Sequence, residues 1–385
     1  MLRYCVRCVL PDSKPDLVLD ESGVCSACRY YEARGAIDWE LRREELLGLV
    51  DRFSVANEGR WDCIVPVSGG KDSTFQVLQL RNLGLNPLCV TATTCDLSDI
   101  GRANIQNIRA LGVDLIEFSP NPRVRASLNR IGLREVGDIA WPEHVGIFTI
   151  PVRAAVAYRV PLIVWGENSQ HEYGGPATAA ENHVLDRSWL EEFGGLLGLR
   201  VSDLVGVDGL TERDLIPYRY PSDEELAQVG VTGIFLGFFL PWDGYTNALV
   251  AQVHGFRSFG RTVEGSFVDY ENLDNLQHGI HDYLKFLKFG YGRASDQASV
   301  HIRRGRLGRD IAIERVRELE GRFPSSYLGT PLHEILDRIS ITVEEFVTIC
   351  DRFTNRRLFQ RSDSDPAGLL RSNDGSLTKL NYDNP

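Results

Sequence analysis

The sequence predicts an α/β fold in which helices cover both faces of a parallel sheet. Apolar runs of strand length alternate with helical segments, and a glycine-rich loop joins the first strand to the following helix. Parallel strands that are buried on both faces have near-continuous apolar sequences of this kind. Ligands of such sheets bind beyond the carboxyl ends of the strands, so we expect the functional residues in the loops that follow them.

The predicted elements follow in order along the chain. Strands are expected at 63–67, 87–93, 114–118, 161–165 and 233–243, and helices at 72–83, 100–111, 123–131, 148–158 and 246–254. We divide the chain into a ribbon at 1–36, a linker helix at 37–58, and an α/β domain at 59–255 with an insertion at about 177–230 that forms a lid. A mainly helical region for substrate or partner binding follows at 256–385, and its tail after 362 is expected to be disordered.

The composition is typical of a cytoplasmic enzyme, and we expect that localisation. The chain has 385 residues and a net charge of −11, with no apolar run long enough to span a membrane and no signal-like N-terminus. An acidic chain argues against a broad nucleic-acid surface, which requires a basic face. Short basic runs at 303–306 and 356–357 are interpreted as docking patches for an acidic ligand or partner rather than for RNA.

Four of the eight cysteines form two Cys-x-x-Cys pairs near the N-terminus. In a reducing compartment such a spacing predicts a structural Zn²⁺ site rather than disulfides, and an iron-sulfur cluster is the alternative. The segment between the pairs is rich in turn residues, so the metal must replace an apolar core. The predicted ligands are Cys5, Cys8, Cys25 and Cys28. Three others are interpreted as small buried apolar residues, namely Cys63, Cys89 and Cys350.

The loop at 68–73 predicts a nucleotide phosphate site. Adjacent glycines let the backbone N–H groups approach a phosphate, and the next helix directs its positive end to the same point. Lys71 adds a charge, while Asp72 either holds Mg²⁺ or caps the helix. The spacing differs from the Gly-x-x-x-x-Gly-Lys-Ser/Thr loop of kinases and GTPases. The predicted ATP-binding residues here are Ser68, Gly69, Gly70, Lys71, Asp72, Ser73 and Thr74.

Two further strand ends are rich in polar residues. The loop at 166–175 contains Glu167, Asn168 and Glu172, which we expect to bind Mg²⁺ or substrate. Asp243 ends the last predicted strand and points to the same crevice. Cys95 follows the second strand, where it is either an inert residue or a redox or sulfur-carrying thiol.

The loop at 68–73 resembles the SGGxDS loop of the N-type ATP pyrophosphatases, the PP-loop superfamily with an adenine nucleotide alpha-hydrolase-like fold. With the cysteine pairs, the loop at 166–175 and the segments 281–285 (HDYLK) and 288–296 (KFGYGRASD), the chain resembles the N-acetyl sugar amidotransferase family. The segment 264–304 makes this resemblance specific. It implies that ATP is cleaved between its α and β phosphates and that adenine crosses the backbone at Thr91, Ala92 and Thr93.

The resemblance also implies a reaction and its partners. Family members convert an N-acetyl group of a nucleotide sugar or sugar acid into an acetamidino group through an adenylylated imidate, in the synthesis of bacterial surface polysaccharides such as the LPS O-antigen. The implied cofactors are ATP, Mg²⁺ and structural Zn²⁺. Ammonia is expected from a separate glutaminase subunit, with an ammonia-channel cyclase-like subunit as a further candidate, and neither nucleic acid nor a membrane is expected as a partner.

The candidate residues for this reaction fall into two groups. For catalysis they are Lys71, Asp72, Glu167, Asp243 and His281, and the last three are alternatives for the general base. For substrate binding they are Asn168, Glu172, Tyr173, Lys285, Lys288 and Arg293. The two lysines are equally consistent with a solvated helix face, and His281 with a helix start. Two alternative functions are a tRNA thiolase of the PP-loop superfamily and a non-catalytic zinc-ribbon nucleotide sensor.

Overall fold

The computed structural model describes residues 2–56, 61–167, 184–185 and 197–380, with backbone alone for 54–56 and 184–185. Its centre is a mixed sheet whose strands are β1 (Cys63–Pro66), β2 (Pro87–Ala92), β3 (Asp114–Phe118), β4 (Leu162–Trp165), β5 (Val184–Leu185) and β6 (Thr232–Phe235). Their order is β3-β2-β1-β4-β6-β5, and β5 alone among these strands is antiparallel to its neighbour. The predicted parallel α/β sheet is therefore confirmed.

Helices cover both faces of this sheet. Those around it are α1 (Ser26–Ala33), α2 (Trp39–Ala56), α3 (Lys71–Asn82), α4 (Asp99–Ala110), α5 (Pro122–Val136), α6 (Trp141–Tyr158), α7 (Asp223–Val229), α8 (Leu236–Phe239) and α9 (Gly244–Val253). Alternate residues of β1 and β4 enter two different core clusters, with Val65 and Val164 on one face and Ile64 and Ile163 on the other. Burial on both faces explains why these strands are apolar throughout.

The strand order places the loop at 68–73 at a topological switch point. From β1 the chain proceeds outward through β2 to β3, then returns to pair β4 with the other side of β1. In an open α/β sheet, a crevice forms at such a switch point, outside the carboxyl ends of the strands.

The strand expected at 233–243 is wrong over its second half. β6 ends at Phe235, and the chain continues as the short helix α8. The partner strand β4 ends at Trp165, and among the described residues one backbone hydrogen bond continues the pairing beyond it, from Gly237 N–H to Gly166 O at 3.0 Å. Without a partner ladder, the apolar run of this segment buries its side chains from a helical turn instead.

The C-terminal region is mainly helical, as predicted. It contains α10 (His278–Phe289), α11 (Arg293–Arg303), α12 (Arg309–Leu319), α13 (Leu332–Asp337) and α14 (Val343–Phe353), with a short hairpin of β7 (Ser326–Tyr327) and β8 (Thr330–Pro331). Leu284, Phe286, Leu336 and Phe346 form the centre of its own core.

The tail after Ser362 differs from the disordered end that its polar composition predicts. Leu369 and Leu377 are buried in the core of the C-terminal region, and bridges join Phe359 to Lys379 and Arg371 to Leu377. Two widely spaced apolar residues are enough to hold this segment in place, because both pack into the apolar core that the C-terminal helices form.

The other described segments pack on the two domains. One core cluster contains Trp141 at the start of α6 together with four residues of the predicted insertion, namely Leu204, Leu210, Leu215 and Tyr218.

No helix among the described residues is both long and apolar enough to cross a lipid bilayer.

Candidate functional site

The loop between β1 and α3 has the backbone geometry of a phosphate site. Gly69 has φ of +82°, and a Cβ there would lie 2.6 Å from the backbone nitrogen of Ile105 in α4. Only glycine therefore fits this position. Ser68 Oγ accepts from Gly70 N–H at 3.3 Å, and Ser73 Oγ donates to Gly70 O at 3.0 Å. No side chain of the described residues caps the N-terminus of α3, which leaves this end suited to an anion.

Lys71 lies in a cluster of polar side chains at the floor of the crevice. Its Nζ is 2.6 Å from Asp72 Oδ2 and 3.3 Å from Glu271 Oε1. Asp72 Oδ1 accepts from Asn247 Nδ2 at 2.8 Å, and Glu271 Oε2 accepts from Gln297 Nε2 at 2.7 Å. Burial opposes ionisation of Glu271, but the charge of Lys71 and the hydrogen bond from Gln297, together with the charge of Arg293, outweigh burial and lower the pKa of that carboxyl. The cluster thus holds a cation between two carboxylates at the phosphate loop.

The C-terminal region forms the second wall of this crevice. Ser98 N–H, at the start of α4, donates to Asp274 O at 2.9 Å, and a Cβ at Gly101 would lie 2.6 Å from Asp274 Cα. Asn104 donates to Arg257 O at 2.9 Å and accepts from Arg257 N–H at 2.8 Å. The segment at 257–274 is therefore fixed against the α4 side of the sheet domain.

A cleft of about 790 Å³ lies between the two walls. The loop at 68–73 and Glu167 line it from the sheet domain, and residues 270–274 with Arg293 line it from the C-terminal region. Four carboxylates, those of Asp72, Glu167, Glu271 and Asp274, line this space. Carboxylate oxygens are the ligands that Mg²⁺ prefers, so the donor set fits a Mg²⁺–nucleotide complex.

Arg293 reaches the cleft as predicted for a substrate ligand. It is the first residue of α11, and its Nη2 and Nε lie 3.1 and 3.3 Å from the Asp282 carboxylate. The Asn272 side-chain amide is oriented with its oxygen toward Arg293, and this oxygen accepts from Arg293 Nη2 at 2.8 Å. Burial opposes ionisation of Asp282, but the charges of Arg293, His281 and Lys285 together outweigh it and lower the pKa of Asp282 to about 2. The guanidinium is held in one orientation toward the cleft.

Asp243 is poorly suited to the general-base role that was one of its predicted alternatives. It caps α9, and its oxygens lie 2.6 and 3.0 Å from the Arg306 guanidinium and 3.3 Å from Arg304 Nε. Burial opposes ionisation, but hydrogen bonds from Arg306 and the charges of Arg304 and Arg306 together outweigh it and lower the pKa of Asp243 to about 2. A carboxylate this weakly basic takes up few protons at neutral pH.

The two candidate lysines of α10 have structural partners. Lys285 pairs with Asp296, and Lys288 Nζ donates to Val136 O at 2.7 Å. Within the described part of the chain neither lysine lines the cleft at the phosphate loop. Their roles as substrate ligands stay predictions that this geometry does not favour.

His281 belongs to a second polar cluster, which the sequence analysis did not find. His281 Nδ1 is 2.8 Å from Asp138 Oδ1, and His144 Nδ1 is 3.1 Å from Asp138 Oδ2. The ring centroids of the two histidines are 5.2 Å apart. Asp138 precedes α6, and the histidines lie in α6 and α10, so no sequence spacing connects the three residues.

The second strand ends where the predicted adenine contacts lie. Thr91 and Thr93 are buried at the end of β2, and Thr93 Oγ1 donates to Phe118 O at 3.1 Å. Cys95 is exposed just beyond, yet partial burial raises the pKa of its thiol to about 11. A thiol with this pKa carries little thiolate at neutral pH, which argues against a sulfur-carrying role.

The four N-terminal cysteines are brought together as predicted. Their sulfur atoms all lie within 4.8 Å of one another, with Cys5 to Cys28 at 3.9 Å and Cys8 to Cys25 at 3.6 Å. Cys5 Sγ also accepts from the backbone N–H groups of Cys8 and Cys25 at 3.5 and 3.3 Å. Four buried thiols with amide donors around them fit a closed tetrahedral Zn²⁺ site.

Three predicted site residues lie outside the described part of the chain: Asn168, Glu172 and Tyr173. The sequence analysis in turn missed Glu271, Asn247, Gln297, Asp138 and His144. Glu271 and Gln297 lie within the segment 264–304 that carries the family resemblance, which is the one signal that could have found them. The others are ordinary helix or loop residues whose proximity arises only from the fold.

The structure combines a parallel sheet, the SGGKDS loop at its switch point and a buried four-cysteine cluster near the N-terminus. Residues 262–371 match the family described as "LPS biosynthesis protein WbpG-like, C-terminal domain". The match includes most of the segment on which the predicted resemblance depends, and the resemblance is thereby confirmed.

Two further comparisons complete the findings. The chain is similar to a structure of NMN synthetase from Francisella tularensis, with 15% sequence identity over 50% of this chain and 92% of that chain and a TM-score of 0.26. At that TM-score the similarity carries no structural argument. No curated protein matches the chain.

Proposed function

We propose that this protein is an ATP-dependent amidotransferase of surface-polysaccharide biosynthesis. Its reaction converts the acetamido group of a nucleotide-activated sugar or sugar acid into an acetamidino group, with AMP and pyrophosphate as the other products. The observation that carries this proposal is the position of Lys71 between Asp72 of the phosphate loop and Glu271 of the WbpG-like domain. Through this contact, the family-specific domain and the nucleotide loop form one cleft.

The chemistry explains why ATP is needed. An amide oxygen is a poor leaving group, so ammonia cannot displace it directly. If that oxygen attacks the α phosphorus, pyrophosphate leaves with the electron pair of the broken P–O bond and an O-adenylyl imidate remains. Ammonia then adds to the imidate carbon, a proton leaves the new nitrogen, and AMP departs with the former amide oxygen. An amidinium group results.

The residues of the cleft have defined tasks in this scheme. Lys71 and the N-terminus of α3 neutralise charge as it moves onto pyrophosphate. When bound, Mg²⁺ supplies Lewis-acid stabilisation of the phosphates, and Asp72, Glu167 and Glu271 would hold it. Arg293 makes a bidentate contact with the carboxylate or phosphate of the substrate and so orients the acetamido group toward ATP.

Ammonia is proposed to come from a separate glutaminase. The purified chain should then use ammonium but not glutamine, and a cyclase-like subunit is a candidate to channel ammonia between the two. Efficient turnover of glutamine by the isolated chain would contradict this part of the proposal.

The proposal is tested with ATP, ammonium and a panel of nucleotide-linked acetamido and diacetamido sugars. We expect one sugar to give AMP, pyrophosphate and a product in which NH replaces O by mass. Asp72→Asn should lower this activity by about 100-fold or more, because a charged group at the phosphates is lost. The control is Asp99→Asn, which changes an exposed aspartate in the first turn of α4. ADP as the product, or AMP that forms equally without any sugar, would contradict the proposal.

The same assay separates the alternatives. A tRNA thiolase would lose activity on Cys95→Ser, whereas the amidotransferase should retain it. A nucleotide sensor would bind ATP without sugar-dependent release of pyrophosphate.

A further inference from the structure

Asp138 holds two histidines in the same tautomer. Its Oδ1 lies 2.8 Å from His281 Nδ1 and also accepts from Ala140 N–H at 2.9 Å, while its Oδ2 lies 3.1 Å from His144 Nδ1. Only 4% of the Asp138 side chain is exposed, so the carboxylate is shielded from water. An ionised carboxylate only accepts hydrogen bonds, so each ring must donate its Nδ1–H. In the neutral form the lone pair of each ring is then on Nε2.

The rings themselves remain accessible. The exposed fractions of the His144 and His281 side chains are 31% and 23%. A histidine that only stabilises a core is normally covered, whereas these two rings are fixed at one nitrogen by a buried carboxylate and partly open to solvent. That combination is typical of general acid–base residues.

The position of the cluster in the fold adds a second, independent observation. The helix before a parallel strand runs against the strand direction, so the start of α6 lies at the carboxyl edge of the sheet, where ligands bind. His144 is in the first turn of α6, and a Cβ at the nearby Gly146 would lie 3.7 Å from the Cβ of Ala92, the last residue of β2. His281 comes from α10 of the WbpG-like domain. The cluster therefore joins the two domains beside the strand end at which adenine contacts are predicted.

Charged groups around the cluster favour proton uptake at His144. Burial opposes its protonation, but Asp138 and Glu143 outweigh burial and raise the pKa of His144, while Arg293 from the cleft acts against them. Asp138 itself has a pKa well below its usual range, since the two imidazoles outweigh the effect of burial. Two other charged groups face the cluster. The charge of Asp138 acts to raise the pKa of Lys288, and the charge of His281 acts to lower the pKa of Asp282.

We propose that His144 and His281, oriented by Asp138, form the proton-transfer pair that deprotonates the attacking nitrogen. The proposal rests on the proposed function. Ammonia donates its electron pair to the imidate carbon, Nε2 of one imidazole takes a proton from the resulting ammonium nitrogen, and AMP leaves with the electron pair of the C–O bond. The imidazolium then returns its proton to solvent. Asp138 is a positioning residue, because it acts through the rings.

The variants Asp138→Asn, His144→Gln and His281→Gln test this pair, with the exposed His333→Gln as the matched control. We expect each of the first three to lower the ammonia-dependent formation of amidine by about 10²- to 10⁴-fold, the usual contribution of general acid–base catalysis. ATP binding should be unchanged in all four. In the wild type the acidic limb of the kcat/KM profile should lie above pH 6.5, the ordinary histidine pKa, and it should move to lower pH in Asp138→Asn. Variants that fold and keep wild-type amidine formation would overturn the proposal.

A readout independent of catalysis distinguishes this proposal from failure of the proposed function. Long-range ¹H–¹⁵N NMR spectra of the imidazoles give their tautomers and pKa values. We expect Nδ1–H tautomers for His144 and His281, and a His144 pKa that falls in Asp138→Asn. If no sugar yields amidine but the NMR result holds, the proposed reaction is wrong, and with it the role of the pair in that reaction, while the orientation of the two rings by Asp138 is right. Nε2–H tautomers, or a second bound zinc per chain that is lost in His144→Gln, would overturn the pair.

Discussion

At the scale of single residues, the candidate site is a set of charges held by opposite charges. Lys71 lies between two carboxylates, Arg293 is oriented by Asp282, and Asp243 is held by Arg306. The sequence analysis identified Lys71 and Arg293 because each directly follows glycine in a segment that the motifs single out. Glu271 was missed because its partner is 200 positions away in the chain, and a single carboxylate carries no local pattern.

The ion pair of Asp243 predicts a pH dependence of stability. The pKa of this carboxyl is lowered from 3.8 to about 2, and its side chain is only 16% exposed. A lowered pKa contributes stability that is complete above the unfolded pKa and is lost as the pH falls through the folded pKa. Asp243→Asn should therefore cost on the order of 2 kcal/mol in the free energy of unfolding at pH 7.

The difference between wild type and Asp243→Asn should narrow between about pH 4 and pH 2, as followed by urea denaturation at each pH. A difference that is the same at pH 7 and at the acid end of this range would contradict the assignment.

At the scale of elements, most strands and helices were predicted within two residues, but α5 ends at Val136 rather than at 131 and α6 begins at Trp141 rather than at 148. β3 has the predicted bounds, and α3 begins one residue before its predicted start. The apolar run after β6 was predicted as strand because period alone does not separate a buried strand from a buried helix. The segment after β6 is helical because its neighbouring strand β4 ends at Trp165, and the length of a neighbouring strand cannot be read from the local sequence.

Gly69 gives a prediction at this scale, because the turn from β1 into α3 depends on it. In Gly69→Ala the added Cβ would meet Ile105 N at 2.6 Å, at a φ of +82°. The clash adds to the strain of a left-handed backbone, so we expect a loss of about 2–4 kcal/mol in the free energy of unfolding and weaker ATP binding.

The matched control is Gly84→Ala, at φ of +83° with open space around the Cβ, where strain alone should cost about 1 kcal/mol. The two variants are compared by urea denaturation. Equal losses would show that the approach of α4 to the loop is not what makes Gly69 necessary.

At the scale of the whole molecule, the N-terminal ribbon is tied to the C-terminal domain. Arg309 donates to Cys5 O at 3.2 Å and to Cys8 O at 3.0 Å, and Ser13 Oγ donates to Phe289 O at 2.5 Å. The cysteine spacing predicted the metal cluster, but contacts between segments 300 residues apart have no sequence signal. The ribbon therefore has a second structural role beyond its own fold.

Loss of the metal should destabilise more than the ribbon. Cys25→Ser should reduce bound zinc from one to nearly none per chain and lower Tm, because the metal replaces an apolar core and the contacts of Arg309 depend on it. Cys95→Ser, outside the cluster, should keep both the zinc content and Tm. Zinc is measured by mass spectrometry of the purified proteins and Tm by calorimetry. Full zinc occupancy in Cys25→Ser would contradict the predicted ligand set.

The central claim is that the acetamido oxygen itself becomes attached to the α phosphate of ATP. The most direct measurement uses the reactive sugar with ¹⁸O in its acetamido group, together with ATP and ammonium, and locates the label by mass spectrometry. We predict one ¹⁸O in AMP and none in pyrophosphate for each amidine formed. Unlabelled AMP with the ¹⁸O released as water, or labelled inorganic phosphate with ADP, would contradict the account.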